Sequence, residues 1–105
     1  SNSNKISALL VNSKQKGNPM LKYLTNVPWV YSETLLPDYS MSRTSCAYYL
    51  SMKYHLLNPT YIHTCLRTLG RAYELRVLLV ICDIKDPKHC IKELEKICLF
   101  SNMTM

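Results

Sequence analysis

Glycine and acidic residues are both scarce in this chain of 105 residues. The two glycines, Gly17 and Gly70, stand alone in the sequence, which excludes a glycine-rich loop that cradles phosphate groups. Aspartate and glutamate together number seven, against 13 lysines and arginines, so the net charge is +6. Metal-dependent phosphodiester cleavage needs several converging carboxylates. The composition therefore argues against a nuclease and favours the binding of a polyanion or an acidic partner.

Three further absences narrow the class of protein. No apolar run reaches 18 residues, so no membrane contact is predicted, and the polar start over residues 1–5 does not resemble a secretory signal. The five cysteines form no C-x-x-C pair, and no spacing between histidine and cysteine matches a zinc knuckle. We predict neither a metal nor another cofactor, and we expect reduced, buried thiols in a cytosolic or nuclear protein.

Apolar residues make up 48% of the chain, enough for one compact domain over residues 1–105. Strands are predicted over residues 6–11, 29–36, 38–41, 45–57 and 75–84. Helices are predicted after Asn18-Pro19, Asn58-Pro59 and Asp86-Pro87, because a capping side chain followed by proline suits a helix start. Alternating strands and helices indicate an α/β layered fold.

Several details of these elements can be tested. The continuous apolar run over residues 77–81 is typical of a central strand that is covered on both faces. Ile91, Leu94, Ile97 and Cys98 share one stripe of the last helix. Residues 103–105 begin another strand. Asp83 and Asp86 flank a strand end, and we interpret Asp86 as the cap of the last helix rather than as a metal ligand. The three histidines are expected to lie on the surface or at the edge of the core.

Tyrosines and basic residues suggest two kinds of ligand. Eight tyrosines accompany a single phenylalanine, and rings interleaved with cations can stack on bases and neutralise phosphates. For some of these tyrosines, packing in the core is the alternative role. The basic segment around Gly17 is either an anion or peptide site or an ordinary solvated loop, and the residues alone leave both open.

Six short runs, in order along the chain, resemble one known family. They are Gly17-Asn18-Pro19, Asn26-Val27-Pro28-Trp29, Pro37-Asp38-Tyr39, Tyr54-His55 with Pro59-x-Tyr61-Ile62-His63, Leu75-Arg76-Val77-Leu78-Leu79-Val80, and Asp83-x-Lys85-Asp86-Pro87. The family is the small subunit of the XPF-type repair endonuclease, the excision repair cross-complementation group one protein. The resemblance covers residues 6–105 and only that family's central domain.

The resemblance implies a nuclease-like α/β fold, of the XPF or restriction-endonuclease type, whose central sheet is flanked by helices and whose active site is lost. Val11-Asn12, Pro37-Asp38 and Tyr48-Tyr49-Leu50 are similar to the positions that hold the acids of the catalytic subunits, and of these acids only Asp38 is kept. It therefore implies a nuclear, non-catalytic subunit with no catalytic residue.

By the same resemblance, the former cleft accepts a short glycine-rich peptide with a phenylalanine, from the xeroderma pigmentosum group A scaffold protein. The matching residues are Lys14, Gln15, Gly17, Asn18, Pro19, Ser51, Lys53, Tyr54, Leu57 and Tyr61. Asn18 can bond peptide backbone with both halves of its amide, and the tyrosines can flank glycines. Lys14 and Lys53 replace arginines of the family, and Cys65 replaces a third, which weakens bidentate contacts.

The family's other ligand is single-stranded or junction DNA, for which the candidates are Lys14, Lys16, Lys53, Arg67 and Arg71. The family pairs with the XPF-type catalytic subunit through a tandem helix-hairpin-helix region that is absent from this chain. The chain is also expected to stop before the domain's last strand and helix. Two alternatives are a structural domain with a vestigial groove and a cryptic metal-dependent nuclease.

Overall fold

The computed structural model describes residues 8–105, so Ile6 and Ser7 of the first predicted strand lie outside the described residues. The strands are β1 (Leu9–Asn12), β2 (Trp29–Ser32), β3 (Tyr39–Ser40), β4 (Ser45–Ser51) and β5 (Leu75–Ile81). The α-helices are α1 (Met52–Leu57), α2 (Tyr61–Leu69) and α3 (Lys88–Phe100). Two 3₁₀ helices, Ser13–Gln15 and Pro19–Tyr23, follow β1.

The five strands form one mixed sheet in the order β2-β1-β3-β4-β5. Strand β1 is parallel to β2 and antiparallel to β3, which is antiparallel to β4, and β4 is parallel to β5. Strands β1, β2, β4 and β5 therefore all end at the same edge of the sheet, and β3 begins there. The predicted α/β sheet flanked by helices is confirmed.

The longest predicted strand, residues 45–57, is wrong in its second half. Strand β4 ends at Ser51, whose hydroxyl accepts a hydrogen bond from the Tyr54 amide at 3.1 Å and so caps α1. Asp83 accepts from the Lys53 amide at 2.9 Å and from the Ser51 hydroxyl. These bonds satisfy the free amides of a helix start, which local alternation in the sequence cannot reveal.

The apolar strand β5 is covered on both faces, as predicted, but it is not central, because it is the last of the five strands in the order. Leu78 in the middle of this strand is buried, with 2% of its surface exposed. Thr104 forms a parallel bridge with Val77, donating to the Arg76 carbonyl at 2.7 Å and accepting from Leu78 at 2.8 Å. The predicted strand at residues 103–105 is thus present as a single bridge.

The strands predicted over residues 29–36 and 38–41 are shorter than expected. They contract to β2 and β3, with bends between them. The carbonyls of Leu35 and Pro37 accept hydrogen bonds from the Asn12 side chain, at 2.8 and 3.1 Å. A side-chain amide thus takes the place of a neighbouring strand in this segment.

Two apolar clusters hold the layers together. The larger packs α2 and α3 against one face of the sheet around Leu50, Ile62 and Leu94, and the smaller surrounds Val11. The stripe predicted on α3 is confirmed, with Leu94 and Cys98 buried. Asp86 does not cap α3, because Pro87 occupies the cap and makes no side-chain bond there. Likewise Thr60, not Asn58, precedes the first turn of α2.

All five cysteines are free. Cys46, Cys90 and Cys98 are buried and Cys65 is half-buried, but Cys82 is exposed, contrary to the prediction. Cys82 directly follows β5, where the chain leaves the sheet, and the apolar run continues through the exposed residues Ile81 and Cys82 beyond the covered part of the strand.

His55 is a core residue rather than a surface one. Its side chain is buried in α1, and its Nε2 atom lies 3.0 Å from Oε1 of Glu93 on α3. Its Nδ1 atom finds no hydrogen-bond partner among the described residues. The pair fixes the short helix α1 to α3, while His63 and His89 are exposed, as expected.

Replacing His55 by alanine should lower the free energy of unfolding by about 2 kcal/mol, because the buried contact between α1 and α3 is lost and Glu93 loses its partner. Urea denaturation followed by circular dichroism measures this loss. The matched control is His63→Ala on the exposed face of α2, which should stay within about 0.5 kcal/mol of the wild type. Equal midpoints for the two variants would contradict a structural role for His55.

Candidate binding groove

Residues at or beside the ends of three strands meet at the edge of the sheet where β1 and β4 end. Asn12 is the last residue of β1, Asp38 precedes β3, and Tyr49 lies near the end of β4. The Asp38 carbonyl accepts from the Asn12 amide at 2.8 Å, and its carboxylate accepts from the Tyr49 amide at 2.8 Å. The three positions that the resemblance assigned to a lost metal centre are therefore adjacent in space.

Asp38 is a buried acid, with 4% of its surface exposed. Desolvation by burial raises its pKa from the ordinary value of 3.8, and the hydrogen bond from Tyr49 and the charge of Lys14 offset only part of this rise. Asn12 beside it donates to the two carbonyls named above, and its Oδ1 accepts from the Lys14 amide at 2.9 Å. Both polar side chains hold backbone in place.

The basic turn after β1 is fixed by side-chain amides. Oε1 of Gln15 accepts from Nδ2 of the Asn18 side chain at 2.9 Å and from the Tyr39 hydroxyl at 3.0 Å. Oδ1 of Asn18 accepts from the Met20 amide at 2.9 Å, which caps the second 3₁₀ helix. Both halves of the Asn18 amide are thus bonded within the protein. Gly17 has φ of +89°, a left-handed conformation that suits glycine.

Two tyrosines from different helices form one wall of the site. The rings of Tyr54 on α1 and Tyr61 on α2 pack edge to face, with centroids 5.1 Å apart and planes at 85°. Tyr54 is 45% exposed, whereas burial raises the pKa of the half-buried Tyr61 hydroxyl. The wall therefore offers one accessible ring that is supported by a second.

Between this wall and the basic turn lies a groove of about 460 Å³, which we call the tyrosine groove. It is lined by Lys14, Gln15, Asp38, Tyr49, Leu50, Ser51, Tyr54 and Tyr61. A hollow of about 320 Å³ continues it along the turn, lined by Lys14, Gln15, Lys16, Asn18, Pro19 and Tyr49. Volumes of this size suit a short peptide or a few nucleotides.

The structure brings most of the predicted peptide-binding residues together. Those that line the tyrosine groove or its continuation are Lys14, Gln15, Asn18, Pro19, Ser51, Tyr54 and Tyr61. Gly17 lies within the turn, and Lys53 and Leu57 are exposed on α1 without lining either hollow. Of the residues predicted to bind DNA, Lys14 and Lys16 line the hollows, whereas Arg67 and Arg71 lie towards the C-terminal end of α2 and line neither.

Sequence reasoning missed two residues that shape the groove. Asp83 holds the first turn of α1, and the hydrogen bonds from Ser51 and then from Lys53 lower its pKa. The Tyr39 hydroxyl donates a hydrogen bond to Gln15 in the basic turn, and burial raises the pKa of this hydroxyl to about 12. Asp83 follows a strand that is hydrogen-bonded to β4, a pairing that could have indicated its place. For Tyr39 the sequence holds no comparable signal.

The described residues also bear on two other classes of protein, metalloproteins and membrane proteins. Among residues 8–105, no group of three or more histidine, cysteine or acidic side chains is placed to hold a metal ion. Within the same residues, no helix is both long and apolar enough to cross a bilayer.

Residues 6–105 match the model of a family described as the binding domain of the DNA repair protein Ercc1 (Rad10/Swi10). The chain is 41% identical over 98 residues to the mating-type switching protein swi10 of Schizosaccharomyces pombe, covering 93% of this chain and 38% of that protein. It is also 41% identical over 99 residues to the DNA excision repair protein ERCC-1 of Arabidopsis thaliana, covering 94% of this chain and 24% of that protein. The chain thus spans well under half of these relatives.

The fold also resembles a solved structure, XPF from Aeropyrum pernix, with a TM-score of 0.72 and 13% identity. The match covers 93% of this chain and 51% of the other. At this identity the likeness concerns the fold alone, and it confirms the predicted XPF-type, nuclease-like arrangement of the sheet and its helices.

Replacing Asp38 by asparagine should change how stability depends on pH. As the pH rises above 3.8, the unfolded chain loses the Asp38 proton first, because the folded pKa is raised. The folded state then binds more protons, so the contribution of Asp38 to stability falls as the pH rises through the folded pKa. The variant cannot titrate and should lack this fall.

Denaturant titrations at several pH values, from below 3.8 to neutral, measure the difference between the wild type and Asp38→Asn. The difference should shift in favour of the variant as the pH rises. A difference that stays constant over this range would show that burial does not perturb the Asp38 carboxyl.

Proposed function

The chain belongs to the family of the binding domain of the DNA repair protein Ercc1 (Rad10/Swi10), and from this membership we propose that it is a non-catalytic binding module of a DNA-repair endonuclease complex. The observation that carries the proposal is the tyrosine groove. It occupies the sheet edge where the resemblance places a nuclease's acids, and it presents tyrosines and a lysine there.

The chemistry of this edge supports a pseudo-nuclease. Asn12 is a neutral amide whose nitrogen donates to backbone carbonyls. Asp38 is a single carboxylate, its pKa is raised, and one of its oxygens already accepts from the Tyr49 amide. A divalent cation needs several anionic oxygen ligands that face one point. One buried acid beside an amide does not supply them.

A glycine-rich peptide with one aromatic residue fits the groove. Glycines can pass close to the rings of Tyr54 and Tyr61, because they have no side chain to clash with them. A phenylalanine ring gains packing area on the exposed face of Tyr54, and Lys14 can pair with an acidic flank of the peptide. In our proposal this peptide belongs to the xeroderma pigmentosum group A scaffold protein, and its capture recruits the XPF-type catalytic subunit to damaged DNA in the nucleus.

Single-stranded or junction DNA is the second proposed ligand, on an overlapping surface. Lys14, Lys16 and Lys53 are exposed around the groove and can neutralise phosphates. Arg67 in the last turn of α2 and Arg71 just after that helix add further charge. Tyr49 and Tyr54 offer rings near these cations on which bases can stack. Peptide and DNA would then share Lys14 and Tyr54.

Calorimetric titration with a synthetic peptide of consecutive glycines and one phenylalanine tests the groove. We expect saturable binding that Tyr54→Ala weakens at least tenfold, because about 1.4 kcal/mol of ring contact is lost. Asn18→Ala should weaken it as well, because the turn loses its cap. Tyr23→Ala is the control. Tyr23 is an exposed tyrosine at the end of the second 3₁₀ helix, and it lines neither the groove nor its continuation. No binding by the folded wild type would favour a structural domain with a vestigial groove.

Shared use of the groove predicts competition between the two ligands. The peptide should displace a fluorescent single-stranded oligonucleotide from the wild type, and fluorescence anisotropy follows the release. In Lys14→Gln both ligands should bind more weakly, because the cation lies in the groove and its continuation. Simultaneous binding of both ligands at saturation would contradict an overlapping site.

A further inference from the structure

The outward face of α3 carries a regular row of three cations and one aromatic ring. Lys88, Lys92, Lys96 and Phe100 follow one another at intervals of four residues, which places them on one ridge of the helix. The buried face of the same helix is formed by Cys90, Leu94 and Cys98, so the ridge faces away from the core. We call it the α3 ridge.

The lysines of this ridge form no ion pair within the described part of the chain. Among residues 8–105 the ion pair present is that of His55 with Glu93, so none of the three lysines has a carboxylate within pairing distance. Glu93 directly follows Lys92, but its Oε1 atom bonds His55, and Glu95, which directly precedes Lys96, forms no ion pair among the described residues. Lys92 and Lys96 border a shallow hollow of about 340 Å³ with His89 and Glu93.

The ring at the end of the ridge is an independent feature. Phe100 is the single phenylalanine of the chain, and 84% of its surface is exposed. The chain turns away directly after it, through Asn102 with φ of +55°, and Met103 donates back to the Cys98 carbonyl at 3.0 Å. No described residue covers the ring, although an aromatic side chain of this size normally buries most of its area.

The ridge is also close to the tyrosine groove in the fold. The bond between His55 and Glu93 joins α3 directly to α1, the helix that carries Lys53 and Tyr54. Lys53 and the α3 ridge therefore belong to two helices that are in direct contact. Arg67 lies in the last turn of α2, and Arg71 follows that helix.

We propose that the α3 ridge is a second contact surface for single-stranded nucleic acid, a role that rests on the proposed DNA binding of this domain. Neighbouring lysines of the row are about 6 Å apart along the helix axis, at about 1.5 Å per residue, so each can reach a different phosphate of an extended strand. Phe100 takes a base. An unpaired strand fits this arrangement better than a duplex, because stacking on a side chain needs an unstacked base.

Fluorescence anisotropy with a labelled oligothymidine at several salt concentrations tests the assignment. Lys92→Gln/Lys96→Gln should lower the slope of log K against log salt by about 1.4, at about 0.7 for each phosphate contact of a single strand. Phe100→Ala should weaken binding about tenfold and leave the slope unchanged, because stacking releases no counterions.

The control is Lys22→Gln/Arg43→Gln, which removes the same charge from two exposed positions away from α3. An equal fall of the slope in this control would mean that net charge alone drives binding, and it would overturn the assignment. An unchanged slope in Lys92→Gln/Lys96→Gln, or equal affinity of the wild type for a duplex, would overturn it too. Peptide titration of the same variants separates the two proposals, because loss of the ridge should leave the tyrosine groove intact.

Discussion

The buried residue Asp38 connects three strands, and the shape of the groove depends on the bonds it accepts. Its carbonyl accepts from Asn12 at the end of β1, and its carboxylate accepts from Tyr49 in β4. Because β3 is only two residues long, ladder hydrogen bonds contribute little there, and this acid supplies the missing connection. A carboxylate that is buried and accepts from a backbone amide has a structural role, because the hydrogen bond offsets the cost of its burial.

The second constraint is the change from strand to helix at Ser51. The Ser51 hydroxyl caps α1, and the Asp83 carboxylate accepts hydrogen bonds from that hydroxyl and from the Lys53 amide. His55 fixes the same helix to α3 through Glu93. A helix of six residues has little stability of its own, so its position comes from these tertiary bonds. They position Tyr54 at the groove, and the groove wall therefore depends in part on Asp83, His55 and Glu93, which do not line it.

Charge and aromatic rings are distributed to match the proposed role. Exposed lysines lie beside the groove and on the outer face of α3, while Asp38 and Asp83 accept hydrogen bonds from backbone amides. Cations with accessible rings bind phosphates, bases and peptide side chains, but they cannot activate water for hydrolysis. This distribution supports the proposed recognition role, in which the sheet of a nuclease-like fold is the rigid support.

Hydrophobic periodicity and helix-start residues, which are local, were enough to predict the layered α/β class, the helix stripe of Leu94 and Cys98 and the two-sided cover of β5. The grouping of lysine, asparagine and tyrosine at one groove was predicted from the resemblance to a family. Tertiary structure alone decided that residues 45–57 break into a strand and a helix. The same holds for the edge position of β5, the burial of His55 and the absence of a cap at Asp86. In each case a partner that is distant in the sequence supplied the hydrogen bond or the packing surface, such as Asp83 for Ser51 and Glu93 for His55, and local pattern carries no information about such partners.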